Sequence, residues 1–306
     1  MASNDGYLLQ YIKQRNIPCL GIEPTASTAS AARQKGIETL EEFFGINMAE
    51  RLIKEGKQAD LMIANNVLAH VPDINDFVKG FVNLLKPQGI ATFEFPHLMH
   101  LIDQKQFDTI YHEHFSYLSF STVNQIFKVN GLTVFDVEEL ETHGGSLRVF
   151  AQRSDTGTYP IRQSVSKLLD RETEAGMRNA SYYQGFQEKA NKVKNDLLIF
   201  LINARNQGKT IAAYGAAAKG NTLFNYAGIK PDLINFVCDA SPSKQGKFLP
   251  GSRIPILPPE ALRENKPDII LIIPWNIATE IIQQHAYVRE WDGIFIIAVP
   301  ELQIIR

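Results

Sequence analysis

Cysteine is scarce in this sequence, and a long apolar run is absent. The two cysteines, Cys19 and Cys238, are too far apart in sequence to indicate a disulfide framework or a zinc knuckle, so a reducing cytoplasm is the expected compartment. No apolar run reaches about 18 residues, so no transmembrane helix is predicted. The polar residues 1–6 are not expected to form a signal peptide.

Clusters of basic residues are also missing. The formal net charge is −2, and no run of five or more basic residues occurs. This balance gives no electrostatic basis for binding a nucleic acid polymer or an anionic membrane. Hydrophobic residues make up 44% of the chain and charged residues 21%, which is ordinary for a globular protein, and a length of 306 residues favours two domains.

Strand-like and helix-like segments alternate in the first half of the chain. The strand-like runs lie at 19–23, 60–64, 90–95, 132–137 and 146–151, and the helix-like segments at 8–13, 27–35 and 75–85. Such alternation predicts βαβ units and a parallel sheet covered on both faces. The last two strand-like runs follow each other without a helix, so an antiparallel edge is expected.

The same alternation resumes after a polar segment at 152–160 and a long helical region at 161–206. The later strand-like runs lie at 210–214, 234–239, 268–273 and 293–299. We therefore predict an α/β chain with two tandem Rossmann-like, doubly wound sheets. The predicted divisions are a first domain over 1–153, a helical linker over 154–207 and a second domain over 208–306.

Each half places a small-residue turn before an acid that ends the next strand. In the first half the turn is Ser3–Gly6, and Glu23 follows Gly6 by 17 residues. This spacing is close to that of sites where an acid binds ribose hydroxyls. An ordinary Asn-Asp-Gly turn and a surface glutamate are the alternative. Asn65 and Asn66 would reach the same crevice from a later strand, whereas His70 is expected to be structural.

The second turn, at 215–220, places Lys219 and Asn221 at a predicted helix start, and Asp239 ends the following strand. A helix N-terminus beside a lysine favours an anion such as a diphosphate. Consecutive small residues also allow a backbone to approach another group closely. A helix with a plain surface lysine is the alternative.

Five of the seven histidines lie between His97 and His143, and two of them flank Glu113. Because the unperturbed pKa of histidine lies near physiological pH, such a cluster is suited to moving protons. A zinc or iron site made of His97, His100, His112 and His114, with Glu113 or Glu94, is an alternative. It carries less weight because it would leave two nucleotide-binding units unexplained.

These stretches together resemble the S-adenosylmethionine-dependent C-methyltransferases that act on nucleotide-linked keto-deoxysugars. The resemblance covers nearly the whole chain. The matching stretches are Ser-Asn-Asp-Gly at 3–6, Gly-Ile-Glu-Pro at 21–24, Asn-Asn-Val-Leu-Ala-His-Val at 65–71, Glu-Phe-Pro-His at 94–97, Phe-Asp-Thr-Ile-Tyr-His-Glu-His-Phe-Ser-Tyr-Leu at 107–118, Thr-His-Gly-Gly-Ser-Leu-Arg at 142–148, Ala-Tyr-Gly-Ala-Ala-Ala-Lys-Gly-Asn at 213–221 and Lys-Gln-Gly-Lys-Phe-Leu-Pro-Gly at 244–251.

The resemblance implies a role for each candidate residue. His114 would be the general base, Glu113 would orient it or bind a sugar hydroxyl or amine, and Tyr111 would donate to the developing oxyanion. The implied S-adenosylmethionine-binding residues are Asn4, Asp5, Gly6, Glu23, Asn65 and Asn66. The implied residues for the nucleotide sugar are His112, His143, Tyr214, Lys219, Asn221 and Asp239. The active site is expected between the two domains.

The sequence also departs from the family pattern. Relatives carry a cysteine-rich zinc-binding module and a strand before the glycine turn, and neither is found here. We therefore expect a truncated form of a longer protein whose first sheet lacks its first strand. A nucleotide-sugar-binding remnant without catalytic activity is a further alternative.

Overall fold

The computed structural model describes residues 1–306, and they divide into two compact units. Unit 1 comprises residues 1–99 and 113–178, and unit 2 comprises residues 100–112 and 179–306. The residues expected to form a helical linker are divided between the two units. Hydrophobic packing explains this, because Val165 and Leu168 join the core of unit 1, whereas Leu197 joins a core of unit 2.

Unit 1 has six strands and most of the early helices. The strands are β1 (Gly21–Ile22), β2 (Thr39–Leu40), β3 (Ala59–Asn65), β4 (Leu85–Pro96), β5 (Leu132–Leu140) and β6 (Ser146–Arg153). The helices are α1 (Leu9–Gln14), α2 (Ala26–Gln34), α3 (Ile46–Lys54), α4 (Ile74–Leu84), α5 (Leu98–Asp103), which continues into unit 2, α6 (Phe120–Asn130) and α7 (Gln163–Glu174).

The strands of unit 1 form two sheets. β1 pairs with β2 in parallel, and the second sheet has the order β3-β4-β6-β5. β3 is parallel to β4, whereas β6 is antiparallel to both β4 and β5, so the predicted antiparallel edge is confirmed. β1 and β3 belong to different sheets. The Met1 amino group donates to the Ile63 carbonyl (2.7 Å), and the Ser3 N–H donates to that of Ile22 (3.0 Å).

A chain of aromatic rings holds the helices of unit 1 on its larger sheet. The ring centre of Phe81 from α4 lies 4.6 Å from that of Phe93 in β4. The ring centre of Phe93 lies 4.6 Å from that of Phe127 in α6. All three side chains are completely buried. Burying one such ring contributes roughly 1.5–3 kcal/mol, so this cluster stabilises the packing of α4 and α6 on β4.

Unit 2 is a doubly wound sheet of six strands. The strands are β7 (Ile211–Tyr214), β8 (Phe236–Cys238), β9 (Ile256–Leu257), β10 (Ile269–Ile272), β11 (Ile294–Ile297) and β12 (Gln303–Ile305). The helices are α8 (Ala180–Tyr183), α9 (Phe186–Asn206), α10 (Ala218–Ala227), α11 (Ala261–Asn265) and α12 (Ala278–Gln284).

The strand order of unit 2 is β9-β8-β7-β10-β11-β12, and only β12 is antiparallel to its neighbour. The order therefore reverses between β7 and β10, which is where ligands bind in open sheets of this type. The apolar stripe predicted on α9 is buried, with Val193, Leu197 and Leu201 in the core. None of the helices is both long enough and apolar enough to cross a membrane.

Candidate active site

The acid predicted to bind ribose lies at the end of β1 and is almost completely buried. Glu23 is 7% exposed. Its Oε2 accepts a hydrogen bond from the Asn4 N–H (3.0 Å), and its Oε1 accepts one from the Thr25 N–H (2.9 Å). The carboxylate thus ties the Ser3–Gly6 turn to β1. Since each carboxylate oxygen accepts more than one hydrogen bond, Glu23 retains capacity for ribose hydroxyls.

The Ser3–Gly6 turn requires glycine at its last position. Gly6 has a φ of +76°, and a Cβ atom there would lie 2.3 Å from Cδ1 of Ile37. The turn therefore packs closely on the segment leading into β2, and only glycine allows both the conformation and the contact. Asp5 lies at the surface and forms an ion pair with Lys35 (2.6 Å).

Two asparagine side chains at the end of β3 have buried oxygen atoms with no hydrogen-bond partner. These are Oδ1 of Asn65 and Oδ1 of Asn66. Buried polar atoms in folded proteins are usually satisfied, so unpaired acceptors are expected where a ligand supplies the donors. Asn66 also adopts a left-handed φ of +54°, and its N–H donates to the Glu94 carbonyl (2.7 Å).

The histidine segment of unit 1 is anchored on the turn that follows β3. The N–H groups of Phe115 and Ser116 both donate to the Ala69 carbonyl (2.8 and 3.2 Å). Nδ1 of His70 lies 2.8 Å from the Glu113 carbonyl oxygen. These contacts bring the ring of His114 to 4.7 Å from that of His70, edge to face. His70, expected to be structural, therefore lies beside the predicted base.

The Glu113 contact determines which nitrogen of His70 is basic. A carbonyl oxygen can only accept a hydrogen bond, so Nδ1 carries the proton and Nε2 of the neutral ring presents a lone pair. Glu113 makes this contact with its main-chain oxygen, whereas its side chain is exposed.

His143 reaches the same end of the sheet from the loop before β6. Its Nε2 lies 3.3 Å from Nδ2 of Asn66, and its φ is +56°. The neighbouring Glu94 is 5% exposed and pairs with Arg148 (2.9 Å) and the Thr142 hydroxyl (3.1 Å). The structure therefore brings together Asn66, His143 and Glu94 in unit 1.

The remaining residues of the histidine cluster divide between the units. Tyr111 and His112 belong to unit 2, whereas Glu113 and His114 belong to unit 1. No group of three or more His, Cys, Asp or Glu side chains among the 306 residues is placed to hold a metal ion. The metal-site alternative therefore has no ligand set, and Glu94 instead pairs with Arg148.

In unit 2, Asp239 organises the turn after β7. Its Oδ2 accepts hydrogen bonds from the Ala216 N–H (2.7 Å) and from Lys244 (3.2 Å), and its Oδ1 accepts one from the Ser241 N–H (2.8 Å). This acid, predicted to contact the substrate, is 8% exposed. In the structure it fixes the backbone at the switch point of the sheet.

Lys219 lies at the start of α10 in a partly buried setting. Its Nζ donates to Oδ1 of Asn276 (2.7 Å) and lies 4.1 Å from the ring centre of Trp275. Trp275 in turn donates from Nε1 to Oδ2 of Asp108 (2.7 Å), whose Oδ1 is buried without a partner. Asn221, near the start of the same helix, also has a buried, unpaired Oδ1.

Burial changes the pKa values of both charged groups. It raises the pKa of Asp108 to about 6, although the Lys219 cation and the Trp275 hydrogen bond act in the opposite direction. Burial also lowers the pKa of Lys219, against the attraction of Asp108. The Lys219 cation at the N-terminus of α10 thus contacts Asn276 and an indole ring and is attracted by a buried acid.

The small residues of the 215–220 turn approach a neighbouring strand end. A Cβ atom on Gly215 would lie 2.5 Å from Cδ of Pro274, and one on Gly220 would lie 2.7 Å from Cγ2 of Ile273. The close approach of the backbone that the sequence predicts is therefore to Pro274 and Ile273 of the same chain. Tyr214 is 6% exposed, and its ring lies 4.4 Å from that of His285 in a core of unit 2.

Sequence patterns gave no signal for several residues of these sites. Trp275 and Asn276 follow β10 and meet Lys219 only because the sheet places β10 beside β7. Asp108 lies 167 residues from Trp275, and no local pattern records that contact. Arg148 has no pattern of its own beyond the matching stretch at 142–148.

Comparison with known proteins identifies both halves of the chain. Residues 2–137 match the model of a methyltransferase domain, and residues 141–300 match the model of the C-methyltransferase C-terminal domain. The C-methyltransferase NovU of Streptomyces niveus is 35% identical over 303 residues, which are 99% of this chain and 72% of NovU.

Solved structures are similar at a lower level. The PH0226 protein of Pyrococcus horikoshii is 16% identical, with a TM-score of 0.41 over 50% of this chain and 79% of that one. Magnesium protoporphyrin IX methyltransferase from Synechocystis is 15% identical, with a TM-score of 0.37 over 50% of this chain and 67% of that one.

Together the two family models cover residues 2–137 and 141–300, and NovU matches nearly the whole chain. This chain belongs to the S-adenosylmethionine-dependent C-methyltransferase family.

Proposed function

We propose that the chain methylates a ring carbon of a nucleotide-linked keto-deoxysugar, with His114 as the base that removes the proton of that carbon. The observation that carries the proposal is the anchoring of His114 beside His70, at the strand ends that also hold Asn66 and His143. A ketone acidifies the adjacent C–H, so a base with a pKa near 7 can generate the enolate that attacks a methyl group.

The residues at the ends of β1 and β3 fit S-adenosylmethionine. Glu23 offers a buried carboxylate for ribose hydroxyls, and Asn65 and Asn66 offer unpaired oxygens for donor groups. Bound there, S-adenosylmethionine supplies an electrophilic methyl group. The contribution of these residues is to hold the cofactor in one orientation, which lowers the entropic part of the barrier.

The two imidazole rings have different roles in this proposal. His114 takes the proton from the sugar carbon. His70, with Nδ1 fixed by the Glu113 carbonyl, packs edge to face on His114 and restricts its ring orientation. Tyr111 is proposed to donate to the enolate oxygen, as in the family that the sequence resembles, since a positioned donor stabilises charge that develops in the transition state.

The nucleotide part of the substrate is proposed to bind unit 2. The Lys219 ammonium and the N–H groups at the start of α10 provide positive potential for a diphosphate at the switch point between β7 and β10. Asn221 has an unpaired oxygen nearby for a donor group of the ligand. His112 and His143 remain predicted sugar contacts.

Methyl transfer by His114→Asn tests the base assignment. Wild type and variant are assayed with S-adenosylmethionine and nucleoside-diphosphate 4-keto-6-deoxyhexoses, the uridine and thymidine forms side by side. We expect kcat to fall by about 10²–10⁴, the usual contribution of general base catalysis. Phe115→Leu, at an exposed neighbour on the same segment, is the matched control. Near wild-type kcat in the asparagine variant would show that another group is the base.

Calorimetry separates this function from the non-catalytic alternative. Binding of both S-adenosylmethionine and a nucleotide sugar is expected for the enzyme. If the nucleotide sugar binds but S-adenosylmethionine does not, the chain is a nucleotide-sugar-binding protein.

A further inference from the structure

A buried acid on α7 joins three segments of unit 1. Glu172 is 1% exposed, and its carboxylate accepts hydrogen bonds from Nε2 of His97 (2.7 Å), the Phe120 N–H (2.6 Å) and the Ser121 N–H (2.8 Å). Phe120 and Ser121 begin α6, so the negative charge also lies at a helix N-terminus. Burial alone would raise the pKa of Glu172, but these hydrogen bonds outweigh it and hold the pKa below its usual value.

His97, which is 1% exposed, extends these contacts to the end of β4. Its backbone N–H donates to the Gly145 carbonyl (3.0 Å), close to His143. The next residue, Leu98, donates to the Leu118 carbonyl (3.0 Å), and His97 and Leu118 form an isolated parallel bridge. The end of β4 is therefore hydrogen-bonded both to the loop before β6 and to the segment that leads into α6.

The segment Glu113–Tyr117 is held at two places. Phe115 and Ser116 donate to the Ala69 carbonyl. After Tyr117 the chain enters Leu118, which Leu98 holds, and then α6, which Glu172 holds. The ring of Tyr117 lies 5.7 Å from that of His114, so we expect a shift of α6 relative to β4 to reach the His114 ring through Tyr117.

We propose that Glu172, acting through His97 and the start of α6, is a positioning residue that sets the placement of His114 for proton transfer. This inference rests on the proposed function of His114. Glu172 and His97 are too deeply buried to touch a substrate, so they act on the reaction only through the placement of the Glu113–Tyr117 segment.

The chemistry explains why a carboxylate is required at this position. Three donors converge on two oxygens, and both oxygens must accept. In Glu172→Gln one oxygen is replaced by an NH2 group, which meets an N–H donor instead of accepting from it. We expect α6 to shift away from the end of β4. Because a misplacement of about 1 Å can cost 10²-fold in rate, kcat should fall about 10- to 100-fold.

The test compares Glu172→Gln, His97→Phe and the double variant, each assayed well below its own melting temperature. We expect kcat to fall in every variant while KM for S-adenosylmethionine changes less than twofold. We also expect the double variant to be no slower than the slower single variant, because both residues act through one contact. A purely structural role would lower the melting temperature and leave kcat unchanged, which would overturn the proposal.

Gln152→Leu is the matched control. Gln152 is also a buried polar residue of unit 1, and it accepts from and donates to the backbone of Tyr159. This variant should lose stability and retain kcat. If kcat falls equally in Gln152→Leu, loss of stability alone accounts for the effect, and the proposal fails.

A second readout separates this proposal from the proposed function. The imidazole Cε1–H resonance of His114 is followed by NMR, with its assignment taken from His114→Asn. In Glu172→Gln it should move or broaden, whereas the resonance of His285 in unit 2 should stay. An unmoved His114 resonance refutes the positioning role even if wild type transfers no methyl group. A moved resonance in a protein without methyl transfer refutes only the proposed function.

Discussion

The buried acid of unit 2 makes a quantitative prediction about stability and pH. Asp108 is 1% exposed, and its pKa rises from 3.8 to about 6 on folding. A carboxyl whose pKa is raised by folding favours the folded state only while it is protonated. Its favourable contribution is therefore complete below the unfolded pKa of 3.8 and is lost as the pH rises through about 6.

The size of the effect follows from the two pKa values. When both states are ionised, the difference between 3.8 and about 6 corresponds to roughly 3 kcal/mol of lost stability. At pH 4.5 only about 1 kcal/mol of this loss has occurred, because this pH is still close to the unfolded pKa of 3.8. Between pH 4.5 and 7.5 the free energy of unfolding should therefore fall by about 2 kcal/mol on account of this group.

Asp108→Asn removes the ionisation and keeps an oxygen that can accept from Trp275. Its new NH2 group lies where Oδ1 had no partner, and leaving it unsatisfied costs about 1–3 kcal/mol at every pH in this range. We therefore expect the free energy of unfolding of the variant, relative to wild type, to rise by about 2 kcal/mol from pH 4.5 to pH 7.5. The absolute difference at any single pH is less informative.

Urea denaturation followed by tryptophan fluorescence measures this difference. Both tryptophans, Trp275 and Trp291, lie in unit 2, so the signal reports that unit. Asp268→Asn is the matched control, because hydrogen bonds from Lys209 and Thr210 overcome burial and hold the pKa of Asp268 at about 2. Its stabilising contribution is present above pH 3.8 and is lost only as the pH falls towards 2, so that variant should be less stable by a nearly constant amount from pH 4.5 to 7.5. A pH-independent difference for Asp108→Asn would refute the reasoning.

Two further predictions concern the proposed cofactor site and the cysteines. Glu23→Gln should weaken S-adenosylmethionine binding about 10- to 100-fold in calorimetry, because hydrogen bonds to a charged group contribute about 1.5–3 kcal/mol. Glu41→Gln, at an exposed residue, is the control. A Kd of Glu23→Gln for S-adenosylmethionine within twofold of wild type would show that Glu23 does not bind the cofactor. Burial raises the pKa of the Cys238 thiol to about 12, so iodoacetamide at pH 8 should modify the partly exposed Cys19 and spare Cys238 until the chain is unfolded. Equal labelling of both thiols in the folded protein, measured by mass spectrometry, would contradict this.

Much of the order of strands and helices could be predicted from the sequence. The apolar run at 268–273 became β10, whose four residues are all buried, because a strand buried on both faces needs consecutive apolar residues. The run at 60–64 became β3, in which only Met62 and Ala64 are buried. The apolar stripe of α9 could also be predicted, because helical spacing places its apolar residues on one face. Strands of two residues, such as β2 and β9, left too little pattern to be noticed.

The sequence by itself therefore determined the fold class, the family and the identity of the candidate base, since these rest on local periodicity and on contiguous stretches such as 107–118. Only the tertiary structure decided what surrounds those residues. It paired His97 with Glu172 across 75 positions and Trp275 with Asp108 across 167, and it brought His70 beside His114. Such contacts depend on which strands become neighbours and where helices pack, and those outcomes are set by the whole hydrophobic core, which no short stretch of sequence records.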